Sequence, residues 1–273
     1  MQNTHYKFKL QDEDYKRKIS SSFAEPHQKM HYNLVAKLGV TPGETVLDLG
    51  CGWGSSIPNL LRAVGIYGKV IGYDINENYL AIAERVFSEE IKARWLEFIL
   101  GNKSDKLPFE DDCFDRILCH NVIECVPNKD IFINEIYRVL KPNGALVLSH
   151  YDFDTGIYNS NYKELTRELI HHYSDYTQDW QEVSDGQVGR KLRSFVAKSK
   201  FNDCSASTTV LTEDHYEEDS YGFKFSQWVI DIARKSGKFQ EADLEKWIRD
   251  LKQKDKDNSY YFAICLMMII ARK

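Results

Sequence analysis

Three glycines in five residues, Gly50, Gly52 and Gly54, close the apolar run of VLDLGCGWG. Glycines so spaced let a chain turn through φ > 0 and lie close to a ligand. Asp74 follows Gly54 by twenty residues, at the end of the second apolar run in VIGYDIN. A carboxylate closing a second strand can accept hydrogen bonds from ribose hydroxyls. The pair therefore points to an adenine nucleotide or nucleoside. A dinucleotide would ask for GxGxxG, whereas here GxGxG is followed by Ser55 and Ser56, so the pyrophosphate pattern is incomplete. His120 and His150, in FDRILCHNVI and GALVLSHYDF, carry the second chemistry. An imidazole can take a proton from an attacking hydroxyl or amine near neutral pH. Either ring could equally cap its strand by bonding neighbouring backbone. Cys51 reads as a small turn residue, because no resolving cysteine or metal-ligand spacing accompanies it, and no metal site is expected.

The elements that would position these residues alternate along the first half. TVLDLG, KVIGYDI, LEFILGN, FDRILCHNVI and GALVLSHYDF read as strands, the last after the Pro142-Asn143-Gly144 turn. SIPNLLRAVG, NENYLAIAERVFSEEI with Asn76 as its N-cap, and KDIFINEIYRVLK have helical spacing. Strands separated by helices imply right-handed crossovers and a mostly parallel sheet covered on both faces. The expectation is a doubly wound α/β fold. In such a sheet ligands lie beyond the carboxyl ends of the strands, where His120, Asn121, Ser149, His150, Tyr151 and Asp152 fall. The second half reads as helices NYKELTRELIHHYSDY, QVGRKLRSFVAKSK, FSQWVIDIARKS and EADLEKWIRDLKQK, with strands FNDCSASTTVLT and YYFAICLMMIIA. The charged stretches LTEDHYEEDS and KQKDKDNS read as solvated loops.

Composition bounds the function. With 273 residues, 42% hydrophobic and 28% charged, the chain is long enough for a sizeable core. A net charge of -5 without a basic stripe argues against a nucleic-acid partner. The six cysteines contain no CxxC pair and the first residues are polar, so a reducing, cytoplasmic setting is expected. The longest apolar run, Tyr260 to Ala271, falls short of the roughly 20 residues a membrane-crossing helix needs, and no stable membrane insertion is expected.

VLDLGCGWG, VIGYDIN, LPFEDDCFDRILCHNVIECV and IYRVLKPNGALVLS together resemble class I S-adenosylmethionine-dependent methyltransferases, in particular the small-molecule branch similar to ubiquinone and menaquinone biosynthesis methyltransferases. The likeness runs from about Val35 to Ser149. It implies a Rossmann-like, mostly parallel seven-stranded sheet with an antiparallel C-terminal strand and helical insertions over the active site. By the same resemblance Asp48, Gly50, Cys51 and Gly52 approach the methionine part of the cofactor, Asp74 holds the ribose, Ile75 lies beside the adenine and His120 borders the bound molecule. Asn102 stands nearest the place where the family often binds the adenine amino group, with Asp105 as a rival.

The reaction so implied passes a methyl group by direct displacement to an O, N or C atom of a small organic acceptor and leaves S-adenosylhomocysteine. One domain over residues 1–273 is expected, with residues 1–34 as a cover, 35–151 as the cofactor core, 152–185 and 212–258 as covering insertions, and 259–273 as the last strand. The covers are rich in Tyr6, Tyr15, Phe23, Tyr151, Phe153, Tyr158, Trp180, Tyr216, Tyr221 and Trp228, which suits a flat or cationic acceptor, while half of these rings are expected to be plain packing. A silent cofactor-binding scaffold and a nicotinamide-dependent oxidoreductase are the alternatives. Neither the acceptor nor the oligomeric state is legible.

Overall fold

Apolar runs form the strands, and segments with a 3.6-residue period form the helices between them. The computed structural model describes residues 25–102, 104, 106–178, 181 and 183–273. Helix α1 (Glu25–Leu38) precedes strand β1 (Thr45–Leu49). There follow α2 (Ile57–Val64), β2 (Lys69–Asp74), α3 (Glu77–Val86), α4 (Ser88–Lys92), β3 (Leu96–Leu100), β4 (Phe114–His120), α5 (Lys129–Val139) and β5 (Leu140–Tyr158). The second half contributes α6 (Lys163–Asp175), α7 (Val188–Ala197), β6 (Asp203–Glu213), α8 (Tyr221–Ser236), α9 (Glu241–Lys256) and β7 (Phe262–Arg272). Asn76 caps α3 as its sequence suggests, its side chain accepting from the Asn78 and Tyr79 amides.

The seven strands lie in the order β3-β2-β1-β4-β5-β7-β6. Ladders among β1 to β5 are parallel, and β7 runs antiparallel to both β5 and β6. This is the doubly wound, seven-stranded sheet with a reversed last strand that the sequence implies. Strand order steps outward in opposite directions from β1 and β4, so the crevice beyond their carboxyl ends is the natural ligand site. Alternation along each strand divides the core between two faces: Val46, Leu118, Val147 and Tyr151 join Leu34 of α1, Leu60 of α2 and Phe225 of α8. On the other face Leu47, Ile117 and Leu148 pack with Ile133 of α5 and Leu192 of α7.

Three features differ from the sequence reading. Strand β5 runs on to Tyr158: after an irregularity between Asp152 and Ile157 it pairs Ile157 with Ala263 and Tyr158 with Phe262. The stretch from 152 expected to start a covering insertion is therefore sheet at first. Of the rings expected in the covers, Tyr151, Phe153, Tyr158, Tyr216 and Tyr221 are buried core and Trp228 is exposed, while Tyr6, Tyr15, Phe23 and Trp180 lie outside the described residues. Third, LTEDHYEEDS is not wholly a solvated loop. Leu211–Glu213 end β6, and Glu213 accepts hydrogen bonds from the Tyr221 and Gly222 amides at 2.8 and 2.6 Å. The open amides at a helix start attract an anion.

Helix α9 is anchored by Trp247, fully buried, whose indole N–H donates to Thr166 Oγ1 at 2.9 Å and whose ring meets Tyr158 edge-on at 5.3 Å. Truncation to alanine removes the ring and leaves a cavity. Trp247→Ala is expected to lower the unfolding free energy by about 3–5 kcal/mol, with Trp247→Phe losing less. Urea denaturation of the three proteins checks this, and an unchanged midpoint for Trp247→Ala would show that α9 is not part of the cooperative core.

Candidate active site

The turn after β1 hangs on the end of β2. Gly50 and Cys51 amides both donate to the Tyr73 carbonyl, at 2.7 and 3.1 Å. The Gly52 amide donates to Asp74 Oδ2 at 2.8 Å, and the Asn76 amide to Oδ1 at 2.9 Å. Gly50, Gly52 and Gly54 have φ of +78°, +55° and +92°, the region that glycine enters freely. A Cβ on Gly50 would collide with Val122, and one on Gly54 would lie 2.5 Å from Phe87 Cε2. At Gly52 nothing lies within 4 Å of the corresponding point. The outer glycines thus permit close packing, whereas the middle one borders open space.

Asp48, in β1 just before the turn, is 3% exposed, and its Oδ2 has no hydrogen-bond partner. Burial, reinforced by the Asp74 charge, pushes its pKa up to about 8. An orphaned, buried carboxylate oxygen costs free energy unless a donor or a positive charge reaches it. The Cys51 thiol is pushed well above its ordinary pKa by burial, then by Asp48 and Asp74, which makes it a poor nucleophile.

At the neighbouring strand ends, Asn121 takes φ of +54°, held by its amide on Ser149 O at 2.9 Å and by its Oδ1 accepting from the Tyr151 amide at 3.2 Å. A non-glycine residue in that region, fixed from two sides, stores strain where β4 ends. His120 Nδ1 lies 2.9 Å from Ser149 Oγ, and burial, then His150 and His27, hold its pKa down to about 3. His150 is fully buried and donates from Nδ1 to the Tyr151 carbonyl at 2.6 Å. Its Nε2, without a hydrogen bond, faces Glu124 Oε2 at 3.7 Å. Asp152, beside them, is taken up by Arg190, whose Nε and Nη2 bond its two oxygens at 2.5 and 2.6 Å.

Sequence reasoning missed the histidines of α1. His31 is buried, with Nδ1 2.8 Å from Ser56 Oγ and Nε2 unpartnered. Its ring meets His27 at 4.8 Å and His120 at 5.4 Å. Burial lowers all three, His31 well below its ordinary value and His27 to about 4. The available signal was the i, i+4 spacing, which sets two imidazoles on one helix face. Ile75 is 52% exposed next to Asp74. Asn102 is exposed, and its Oδ1 accepts from the Ser104 amide at 2.9 Å; Asp105 lies outside the described residues. A groove of about 700 Å³ beyond β3 is walled by Asn102, Leu100, Phe109 and Arg138. Neither the glycine turn nor Asp74 borders it, so the turn and not this groove defines the site.

Residues 40–218 match a family model described as a methyltransferase domain. The chain belongs to the methyltransferase domain family. Demethylmenaquinone methyltransferase from Oceanobacillus iheyensis is 36% identical over 121 residues, 44% of this chain and 50% of that protein. The chain spans about half the length of the curated relatives it matches. Among solved structures, phosphoethanolamine N-methyltransferase 2 from Haemonchus contortus, in complex with S-adenosyl-L-methionine, has a TM-score of 0.54 at 18% identity, covering 90% of this chain and 52% of that one. The [4+2]-cyclase SpnF has a TM-score of 0.53 at 15% identity, covering 90% and 81%. What these two share with the methyltransferase domain described here is the fold, and a fold does not by itself fix a reaction.

Asp48 makes a direct prediction. In the unfolded chain its carboxyl ionises near 3.8, in the folded protein near about 8. Between those values the folded state holds the extra proton, so this contribution to stability falls as pH rises through the window. Asp48→Asn cannot titrate, and its Tm should gain on the wild type progressively from about pH 5 to pH 8. Melting curves across that range decide it: parallel pH profiles would mean that Asp48 is already ionised or paired.

Proposed function

We propose that the protein transfers a methyl group from S-adenosylmethionine, by direct displacement, to an O, N or C atom of a small aromatic or amine-bearing acceptor, releasing S-adenosylhomocysteine. The observation that carries this reading is the glycine turn tied to Asp74 within a methyltransferase domain. Asp48, Gly50, Cys51 and Gly52 are assigned to the methionine part, Asp74 to the ribose, and Ile75 and Asn102 to the adenine. The open face of Gly52 and the unpartnered Asp48 oxygen fit a ligand that brings positive charge. Bound S-adenosylmethionine supplies an electrophilic methyl on a positively charged sulfur. The chain's part is to align the acceptor at about 3 Å and exclude water. His120 and His150 are assigned to the acceptor side, and the depressed basicity of His120 keeps its ring neutral and able to accept a hydrogen bond.

A cytoplasmic setting belongs to the same reading, supported by six free cysteines. Among the described residues no helix is long and apolar enough to cross a membrane. A scaffold that binds the cofactor without transferring its methyl group is the second reading, because one neighbour of this fold is named for a cyclisation. A nicotinamide-dependent oxidoreductase is the weaker alternative, given the incomplete GxGxxG.

Calorimetry with S-adenosylhomocysteine and NADH tests the cofactor. The thioether should bind and NADH should not. Asp74→Ala removes charge-assisted hydrogen bonds worth about 1.5–3 kcal/mol each, so the affinity should fall tenfold or more in a folded protein. Unchanged affinity in that variant would make Asp74 a purely structural tie. A subsequent screen of small acceptors for S-adenosylhomocysteine release separates the enzyme from the scaffold.

A further inference from the structure

Helix α1 packs against β5, and beside them lies a narrow compartment of about 10 Å³. Its walls are His27 and Met30 of α1, Tyr151 of β5, Leu211 and Glu213 of β6, Asp219 just before α8 and Tyr221 at its start. Such a volume admits one group about the size of a water molecule. The compartment adjoins the proposed reaction centre, since the Tyr151 ring lies 5.8 Å from that of His120.

The residues lining this space offer several acceptors. Tyr151 is fully buried and its hydroxyl has no partner. The rings of Tyr151 and Tyr221 sit 4.6 Å apart and line the same space. Each Glu213 oxygen accepts one backbone amide and the Ser220 hydroxyl bonds the same carboxylate, which leaves part of its acceptor capacity free. Burial also raises the Glu213 pKa, so the carboxylate is readier than usual to take a proton. His27, His31 and His120 form a row of imidazoles kept neutral by burial, behind the same wall. The neighbouring cation, Lys224, already donates to the Asp219 carbonyl at 3.2 Å. An ammonium would find several acceptors here, the Glu213 carboxylate carrying the opposite charge.

We propose that this compartment receives the primary amine head of the methyl acceptor, its water-sized NH3+ group bound by Tyr151 Oη and the Glu213 carboxylate; this rests on the methyl-transfer reading and narrows its substrate class to primary amines. The ammonium passes one N–H proton to a Glu213 oxygen. The N–H bond breaks and an O–H bond forms. The pair of charges becomes a neutral amine and a neutral carboxylic acid, and the nitrogen lone pair is freed for attack. Glu213 is then a catalytic residue that touches the acceptor, and Tyr151 a binding residue.

The test uses the full chain saturated with S-adenosylhomocysteine and carrying ¹³C-labelled tyrosine. Titration with methylammonium chloride, methanol and sodium acetate is followed by NMR on the Tyr151 and Tyr221 rings. Methylammonium should shift both signals saturably and bind at least about tenfold tighter than methanol, with no response to acetate. Tyr151→Phe removes a hydroxyl that makes no hydrogen bond, so it should keep the wild-type Tm while weakening methylammonium about fivefold or more, read on Tyr221. Glu213→Gln should erase the preference for methylammonium over methanol. Methanol or acetate binding as well as methylammonium, no saturable response to any probe, or an unchanged Tyr151→Phe affinity would overturn the amine assignment. Calorimetry of S-adenosylhomocysteine on the same samples tells the two readings apart: retained binding confines a failure to the amine site, whereas lost binding sinks the methyl-transfer reading and this assignment with it.

Discussion

One carboxylate ties two strand ends together, and much of the site follows from that tie. Asp74 takes the Gly52 amide on one oxygen and the Asn76 amide on the other, so the turn leaving β1 and the start of α3 are set by a single side chain. The turn then delivers Ser55 and Ser56 to α1. Gln28 donates from Nε2 to Ser55 O at 3.0 Å and accepts from Asn59 Nδ2 at 3.0 Å, while His31 meets Ser56. These contacts fix the roof formed by α1 against the glycine turn. The turn and the roof over the small compartment are thus parts of one hydrogen-bonded frame, and displacement of one must be felt by the other.

Charge separates the structural acids from those that face ligand space. Asp152 is held by Arg190, Asp115 by Lys141 at 2.8 Å, and Glu135 by Arg138 at 2.7 Å. These carboxylates have cations beside them and serve the scaffold. Asp48 has instead a buried oxygen with no partner, while Glu213 is bonded by the Tyr221 and Gly222 amides and by Ser220, with the Lys224 charge nearby, and burial still raises its pKa. Buried acids without a paired cation favour protonation or the arrival of positive charge. The row of imidazoles supplies none, because burial keeps those rings neutral. On the proposed reading, both the cofactor and an amine acceptor bring the missing charge.

How much of this was legible in the sequence depended on range. The glycine turn, Asp74 and the Asn76 cap are local features, and their residue types and spacing reveal them without a partner. The sheet was legible because its strands are uninterrupted apolar runs. The α1 roof was not, since His31 reaches Ser56 twenty-five positions on and His120 farther still. Glu213 sits in a stretch so charged that solvation was the natural reading, and only the fold of α8 back over β6 turns it inward. The end of β5 was hidden for another reason: the irregularity between Asp152 and Ile157 breaks the period-two pattern by which a strand is recognised.

The aromatic residues show why a ring-rich segment is weak evidence for a ring-binding site. Tyr158, Phe225, Phe262 and Trp247 pack against one another between the sheet and helices α8 and α9, with centroid distances of 4.8 to 6.5 Å. Their polar tips mostly have protein partners: Tyr158 Oη donates to Gly222 O at 2.6 Å and Tyr216 Oη meets Ser226 Oγ at 2.7 Å. Tyr151 and Tyr260 differ, buried as deeply but with their hydroxyls unanswered, and of the two it is Tyr151 that lines the compartment. A phenol in a dry core costs free energy unless that group is bonded, so the same packing that makes most of these rings structural marks Tyr151 as the one beside the compartment where a ligand would be stabilising. Close-packed neighbours also keep that compartment small, which is why the physical argument favours a compact head group there over a flat ring.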